Sequence, residues 1–419
     1  MLEKRLLTKR FDKYDGLNIK TYQTLEGYEA LKKAFNMSKE DIIKEVKMSR
    51  LTGRGGANFP THIKMTSMLN ETGEKFVVCN ADEGEPGNFK DRYLMENDPY
   101  QLIEGMTISA YAIDAHKGYI YIRGEYNEAI NRLQKAIERA YMNKTLGKHI
   151  LDTNFSFDLE IRRGAGAYVC GEEFALIESI EGHAGRTRVK PPFPTQEGIF
   201  KHPTLINNVE TFSTLCEIVL NGGKAYSQIG SNYASGTKLI SLSGNVKHKG
   251  LFEVPYGTTI MDVITECGGG TNGDIPVQMV QIGGACGPII PPRLLHMDID
   301  NEAFEIFDAK MGAGAIIVID ENYDLFEIVL KNMQFFLHES CGKCAPCREG
   351  HFQMVKILER FVDYKATKKD YQSLKTLAEV IHDTTLCGLG QTSTTSVIST
   401  MTYFDEVYQK RIEQSKDVN

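Results

Sequence analysis

The chain has 419 residues, 42% hydrophobic and 25% charged, with a net charge of −7 at pH 7. That length supports two or three cored domains, and that balance argues against nucleic-acid binding, which asks for a basic excess. Nine cysteines fall short of disulfide-scaffold density, and four in one metal-like group point to a reducing compartment.

The start, Met1 to Leu7, lacks the apolar run of a signal peptide. No stretch approaches the roughly 18 consecutive apolar residues of a membrane span. A cytoplasmic protein is expected, touching the cytoplasmic face of a membrane only through a partner. The first fifty residues read as helical, with Ser38 capping a stripe of Ile42, Ile43 and Val46.

Gly53-Arg54-Gly55-Gly56-Ala57-Asn58-Phe59 follows, running on to Lys64. Glycines let a backbone bring several N–H groups to a phosphate. Arg54 and Lys64 add positive charge, and Phe59 offers a stacking face. A Gly-rich turn alone is usually only a turn; two cations and an aromatic favour a nucleotide. Phe76 to Cys79 reads as a buried strand, opening into Asn80, Asp82, Glu83 and Glu85. Clustered carboxylates usually make a solvated loop, but in an open α/β sheet the carboxyl end of a strand is where ligands bind.

Helices are then expected over 99–113 and 125–142, and strands over 118–122 and 157–161. That alternation argues for a doubly wound sheet. Arg163 to Glu173 reads as strand, Gly-rich loop and helix, without the Rossmann G-x-G-x-x-G spacing. Glu172 and Glu173 at a helix start suit the macrodipole whatever the function, and favour a ribose or a ring over a phosphate. Prolines then stiffen a loop presenting Lys190 and Phe193. Asn207 and Asn208 precede a further helix.

From residue 237 to 323 a hairpin, a short helix and more strands suggest a β-grasp-like module, with Gly283 to Gly287 a structural turn. From 324 on, helices are expected over 324–338, 349–363, 370–383 and about 392–412, as a bundle. Cys341, Cys344 and Cys347 fall between the first two, and Cys387 between the last two. Three close thiolates and a distant fourth fit a cubane iron–sulfur cluster better than zinc, which more often takes two C-x2-C pairs. His338 lies close by, as a surface residue or a donor to the site.

These runs together resemble, over nearly the whole chain, the flavin-containing NADH-binding subunit of respiratory NADH dehydrogenase (complex I), a module also found in NAD-linked hydrogenases and formate dehydrogenases. The matching runs are Gly53 to Lys64, Cys79 through Arg92, Gly164 to Glu173, Lys190 to Phe193, Asn207 to Thr211, and Glu339 to Gly350 with Cys387. The resemblance implies a Rossmann-like FMN domain over 1–236, a β-grasp-like domain over 237–323 and a helical [4Fe–4S] domain over 324–419. It implies FMN held by Gly53, Arg54, Gly55, Gly56, Lys64, Asn80, Asp82, Glu83, Tyr168, Gly171, Glu172, Asn207 and Asn208. NADH would meet Phe59 and Phe193 at its adenine, Glu173 at its ribose, and Glu85 and Lys190 beside the pocket. Cys341, Cys344, Cys347 and Cys387 would ligate the cluster. Asn58 departs from the family's usual glycine.

The activity implied is NADH oxidation through FMN to the cluster, with Glu85 the nearest candidate acid or base for a hydride step that needs none. The partners implied are a thioredoxin-like [2Fe–2S] protein and a further iron–sulfur subunit. A second reading is the diaphorase component of a soluble hydrogenase, formate dehydrogenase or electron-bifurcating complex, run toward NAD or NADP reduction. A third, of another class, is a structural subunit with a decayed pocket, which flavin content would reveal.

Overall fold

The computed structural model describes residues 2–417 apart from 301 and 308–310. Four parallel strands form the first sheet: β1 (Phe76–Ala81), β2 (Lys117–Arg123), β3 (Asp158–Gly164) and β4 (Thr204–Asn208). Their order is β3-β2-β1-β4. The chain builds outward from β1 to β3 and then returns to the other side of β1, pairing Cys79 with Asn207 and Asn80 with Asn208. A reversal of this kind leaves a crevice at the carboxyl ends of the two central strands. The near-continuous apolar runs of β1 and β2 are buried, as a sheet covered on both faces requires. The helix Pro99–Ile113, opened by a proline in its first turn, is buried along almost its whole length. The helix Val209–Asn221 is buried beside it.

The second sheet holds β5 (Thr237–Gly244), β6 (Gly250–Pro255), β7 (Val277–Ile282), β8 (Ile289–Ile290) and β9 (Ala315–Asp320). Its order is β6-β5-β9-β7-β8, with β5 and β9 parallel and the other pairs antiparallel. The two-residue β8 is too short to leave a pattern in the sequence.

The C-terminal region is helical: Leu325–Glu339, Ala345–Val362, Lys368–Thr384, Gly388–Ser393, Thr395–Tyr403 and Asp405–Asp417. Two expectations are corrected here. The second helix begins at Ala345, not 349, because Pro346 costs nothing in a first turn, and Cys347 is therefore helical. The last helix is three pieces. In the run Thr392-Ser393-Thr394, each hydroxyl bonds a backbone carbonyl, of Gly388, Gly390 and Ala378 respectively, and such bonds compete with a regular ladder. Among the described residues no helix is long and apolar enough to cross a membrane.

Candidate active site

The crevice at the carboxyl ends of β1 and β4 gathers most of the residues singled out by the sequence. The Gly-rich loop closes on itself, with the Gly53 N–H donating to the Phe59 carbonyl at 2.8 Å. Gly56 sits at φ +121°, a conformation side chains resist. Asn58 sits at φ +54°, in the left-handed region that asparagine tolerates better than most residues. An asparagine can therefore stand at this position of the loop. The helix Thr61–Asn70 follows at once, and Lys64 donates to the Ile206 carbonyl at 3.1 Å, on β4. Burial lowers the Lys64 pKa, with Glu173 opposing.

Arg54 does not share this placement. Its guanidinium turns inward, donating to the Ser235 carbonyl at 2.7 Å and to the hydroxyls of Tyr256 and Tyr226 at 2.8 and 3.2 Å. Its charge therefore ties the loop to the second sheet's edge and does not face the crevice. Glu83 is likewise engaged: its carboxylate accepts from the backbone N–H groups of Asp91 and Arg92 at 2.8 and 3.0 Å, closing the start of the helix Lys90–Asn97. Asn208 caps the helix Val209–Asn221 through the Glu210 N–H at 2.9 Å and donates to Asp91 at 2.6 Å.

Beneath these groups lies a buried charge network that the sequence pattern does not announce. Lys90 pairs with Asp91 at 2.6 Å and Glu210 at 3.0 Å, and Lys238 pairs with Glu210 at 2.6 Å. Burial raises the Glu210 pKa, but Lys238, Lys90 and Arg54 together hold it below its ordinary value. The only trace in the sequence is a lysine entering the apolar strand Leu239 to Leu242.

Among the buried atoms without a protein partner, two belong to groups at the carboxyl ends of β1 and β4: Asp82 Oδ2 and Asn207 Nδ2. Burial pushes the Asp82 carboxyl up to about 7, with Arg123 opposing and Glu125 and Glu339 adding. A buried acceptor and a buried amide donor, both unpaired, are rare in a finished core. They fit a ligand carrying hydroxyls and ring carbonyls, as the ribityl chain and ring of FMN do. Asn80 braces this corner, donating to the Gly171 carbonyl at 2.8 Å.

The opposite wall holds Glu85, which accepts from the Tyr168 hydroxyl at 2.5 Å and from the Cys286 N–H at 3.2 Å. Burial raises its pKa. Gly284 sits at φ +85°, where an added Cβ would lie 2.3 Å from the Glu85 Cγ. The turn Gly283 to Gly287, expected to be merely structural, thus forms part of the wall. Farther out, Lys190 pairs with Glu173 at 2.5 Å and with Glu172 at 3.1 Å. Glu172 also caps the helix Glu173–Ile180. Phe59 and Phe193 stay 45% and 49% exposed, so each ring keeps surface open to contact with a ligand.

One turn joins this crevice to the thiols. The Tyr168 N–H donates to Glu339 at 2.8 Å, its ring packs edge-on to Phe335, and Lys343 reaches the Thr187 carbonyl at 2.7 Å. The four cysteines converge at this end of the helices. Burial pushes the Cys347 thiol up to about 11, Ser340 opposing and the neighbouring Cys344, Cys387 and Cys341 adding. Burial also raises Cys387, which the backbone of Gly390 and Leu389 pulls partly back. Among the described residues, no three of these sulfurs lie within 4.8 Å of one another. A single tetrahedral zinc would hold them about 3.8 Å apart, whereas a cluster several ångströms across needs them wider. The donor set, four thiols and no imidazole or carboxylate, is what a [4Fe–4S] cluster takes. His338 is exposed; the histidine at the site is the buried His351.

Three family models match in succession: a Nuo51 FMN-binding domain over residues 46–217, an SLBB domain over 239–288, and an NADH-ubiquinone oxidoreductase-F iron-sulfur binding region over 327–411. The chain is 42% identical over 98% of its length to the HndC component of an NADP-reducing hydrogenase of Solidesulfovibrio fructosivorans, covering 84% of that protein. It is also 42% identical over 98% of its length to the F component of the NADH-quinone oxidoreductase of Aquifex aeolicus, covering 95% of it. Among solved structures, an NAD+-reducing [NiFe]-hydrogenase in the H2-reduced state aligns with a TM-score of 0.85 at 36% identity, over 98% of this chain and 67% of that one.

Proposed function

Because this chain belongs to the family of F components of NADH-quinone oxidoreductase, we propose that its crevice seats FMN and NADH together and that each residue there has a definable part. The chain is an oxidoreductase subunit that oxidises NADH and passes the electrons to a [4Fe–4S] cluster. FMN, when bound, supplies the ability to take two electrons as hydride and give them up singly.

In this reading residues 1–236 hold flavin and nucleotide, 237–323 contribute the wall behind Glu85, and 324–419 hold the cluster. Gly53, Gly55, Gly56 and Lys64 receive the phosphate and ring edge. Asn80, Asp82 and Asn207 receive the ribityl hydroxyls and ring. Tyr168, Gly171 and Glu172 border the ring, while Glu83, Asn208 and Arg54 serve by fixing the elements that carry the others. Phe59 and Phe193 hold adenine, Glu173 takes ribose hydroxyls, and Glu85 and Lys190 stand beside the nicotinamide half. Cys341, Cys344, Cys347 and Cys387 ligate the cluster. The hydride step needs alignment and not a proton donor, so no side chain acts as general acid or base.

One observation carries this reading. The segment Tyr168 to Gly171 touches the crevice through Asn80 and Glu85 and the helix leading to the thiols through Glu339. Two redox sites that share a wall suit electron passage from one to the other.

The chain works within a multi-subunit assembly, as its relatives named as subunits do. We assign it a thioredoxin-like [2Fe–2S] partner, a further iron–sulfur subunit and a cytoplasmic setting. A second reading, a diaphorase reducing NADP, draws on Lys190. Its ammonium against Glu173 offers a 2′-phosphate a cation and offsets the repulsion of the carboxylate. The test is anaerobic: chain reconstituted with iron, sulfide and FMN is mixed with NADH or NADPH while flavin bleaching is followed. Bleaching by NADH alone is expected; bleaching by NADPH alone selects the second reading. No bleaching by either, with FMN bound, rejects both.

A further inference from the structure

His351 has no exposure and stands one helical turn after Cys347. Its Nδ1 lies 3.6 Å from the Cys347 sulfur, and its Nε2 lies 2.7 Å from the Ser393 hydroxyl. Phe336 packs against its ring at 6.0 Å. We propose that His351 donates a hydrogen bond from Nδ1 to the cluster-bound Cys347 sulfur and so raises the reduction potential of the cluster. This rests on the reading of Cys347 as a cluster ligand.

The argument is one of counting protons. Ser393 has a single hydroxyl proton and two acceptors in reach, the Gly390 carbonyl at 2.8 Å and His351 Nε2. When the proton goes to Gly390, the Ser393 oxygen accepts from Nε2–H and a neutral ring turns a bare Nδ1 lone pair to the sulfur. That arrangement suits a thiol, which can donate its own proton. A cysteine that ligates iron has lost that proton, and a lone pair facing a thiolate is repulsive. The hydroxyl then turns to Nε2, and Nδ1 carries the hydrogen toward sulfur. A ligand's outer partner fixes its proton arrangement in just this way at other metal sites.

As a thiolate, Cys347 has one donor without His351. The Ser340 hydroxyl lies 3.2 Å from the sulfur and accepts from the Gly342 N–H at 3.2 Å, and with the thiol proton gone only Ser340 can supply the hydrogen between oxygen and sulfur. His351 would make a second donor on the same sulfur. Reduction adds negative charge to the cluster and its sulfurs, so donors there stabilise the reduced state most. His351 is a positioning residue in this sense. It touches no substrate and acts through its ligand neighbour, setting how readily the cluster takes an electron.

The test is a redox titration of the full chain, loaded with FMN and cluster and followed by EPR. His351→Leu is expected to shift the midpoint to lower potential at unchanged iron content, and His351→Gln, which retains an N–H donor, to restore most of it. A His351→Leu protein with full iron and an unshifted midpoint overturns the proposal. Should His351→Leu fail to assemble its cluster, the unaltered chain answers alone. With histidine labelled in nitrogen-15, pulsed EPR of the reduced cluster should show coupling to a histidine nitrogen and to an exchangeable proton; absence of both overturns the proposal. A cluster that never assembles on the unaltered chain would instead count against the cluster reading itself.

Discussion

The crevice and the thiol site share a wall but are held together differently. In the crevice, Glu83, Asn208, Glu172 and Arg54 each make bonds to protein, while Asp82 Oδ2 and Asn207 Nδ2 are among the buried atoms left without a protein partner. At the thiol site the ligands are the site. Burial already raises Cys347 and Cys387, and ionising four neighbouring thiols there is unfavourable until iron offsets their charge. The crevice should keep its shape without its ligands, whereas the thiol site depends on its own.

The sharpest way to break that contrast is to remove one ligand. Cys344→Ser should leave little iron in the chain and lower reduction of one-electron acceptors by at least about 100-fold. NADH should still bleach bound flavin. Iron and flavin analyses on the same sample check both halves. If flavin is lost with the iron, the crevice is not independently formed.

Next in size is Arg54. A buried guanidinium with three tyrosine and carbonyl acceptors leaves those groups stranded when removed, so Arg54→Met should cost about 3 kcal/mol in the flavin-free chain. Urea unfolding without FMN measures it. An Arg54 that served only a phosphate would leave that curve unmoved.

That outcome bears on what is legible in the sequence. Three of the four parallel strands, most of the helices and the four cysteines are readable, because buried strands, amphipathic stripes and C-x2-C-x2-C spacing are local patterns. Arg54 reads as facing a ligand, since charge in a Gly-rich loop usually does, but direction is set by where Tyr226, Tyr256 and Ser235 come to lie. The Lys90–Glu210–Lys238 network joins residues far apart in sequence that no periodicity connects. His338 draws the eye before His351 because distance along the chain stands in for distance in space. Gly283 to Gly287 looks like any turn until the fold sets Glu85 against it.

Asp82 sharpens the comparison through pH. Its carboxyl sits near 7 in the fold against an ordinary 3.8, so the folded state holds the proton more tightly than the unfolded one. The stability this contributes is present below pH 4 and is lost as pH rises through 7. Asp82→Asn cannot ionise, and the flavin-free variant should be more stable than the unaltered chain at pH 8 by on the order of 2 kcal/mol, allowing for the open side of the crevice. At pH 4 the two should agree. The same change should weaken FMN binding, since a group held at a cost to the fold is retained for its ligand. Equal unfolding curves at pH 8 would mean that the carboxylate is better solvated than its burial suggests.

The smallest effects belong to the rim. Phe59 and Phe193 are about half exposed, so truncating either to alanine should move apo stability by less than about 0.5 kcal/mol. If they hold adenine, each loses an aromatic contact of about 1 kcal/mol, or roughly a fivefold rise in the KM for NADH. Adenine contacts are the same before and after hydride leaves, so kcat should stay put. The double variant decides whether the rings act as a pair. Two faces of one sandwich order the same ring, and once one is gone the other holds it less well, so the double loss should fall short of the sum. Additive losses would place the rings on separate parts of the nucleotide, and a fall in kcat with unchanged KM would move one of them to the nicotinamide.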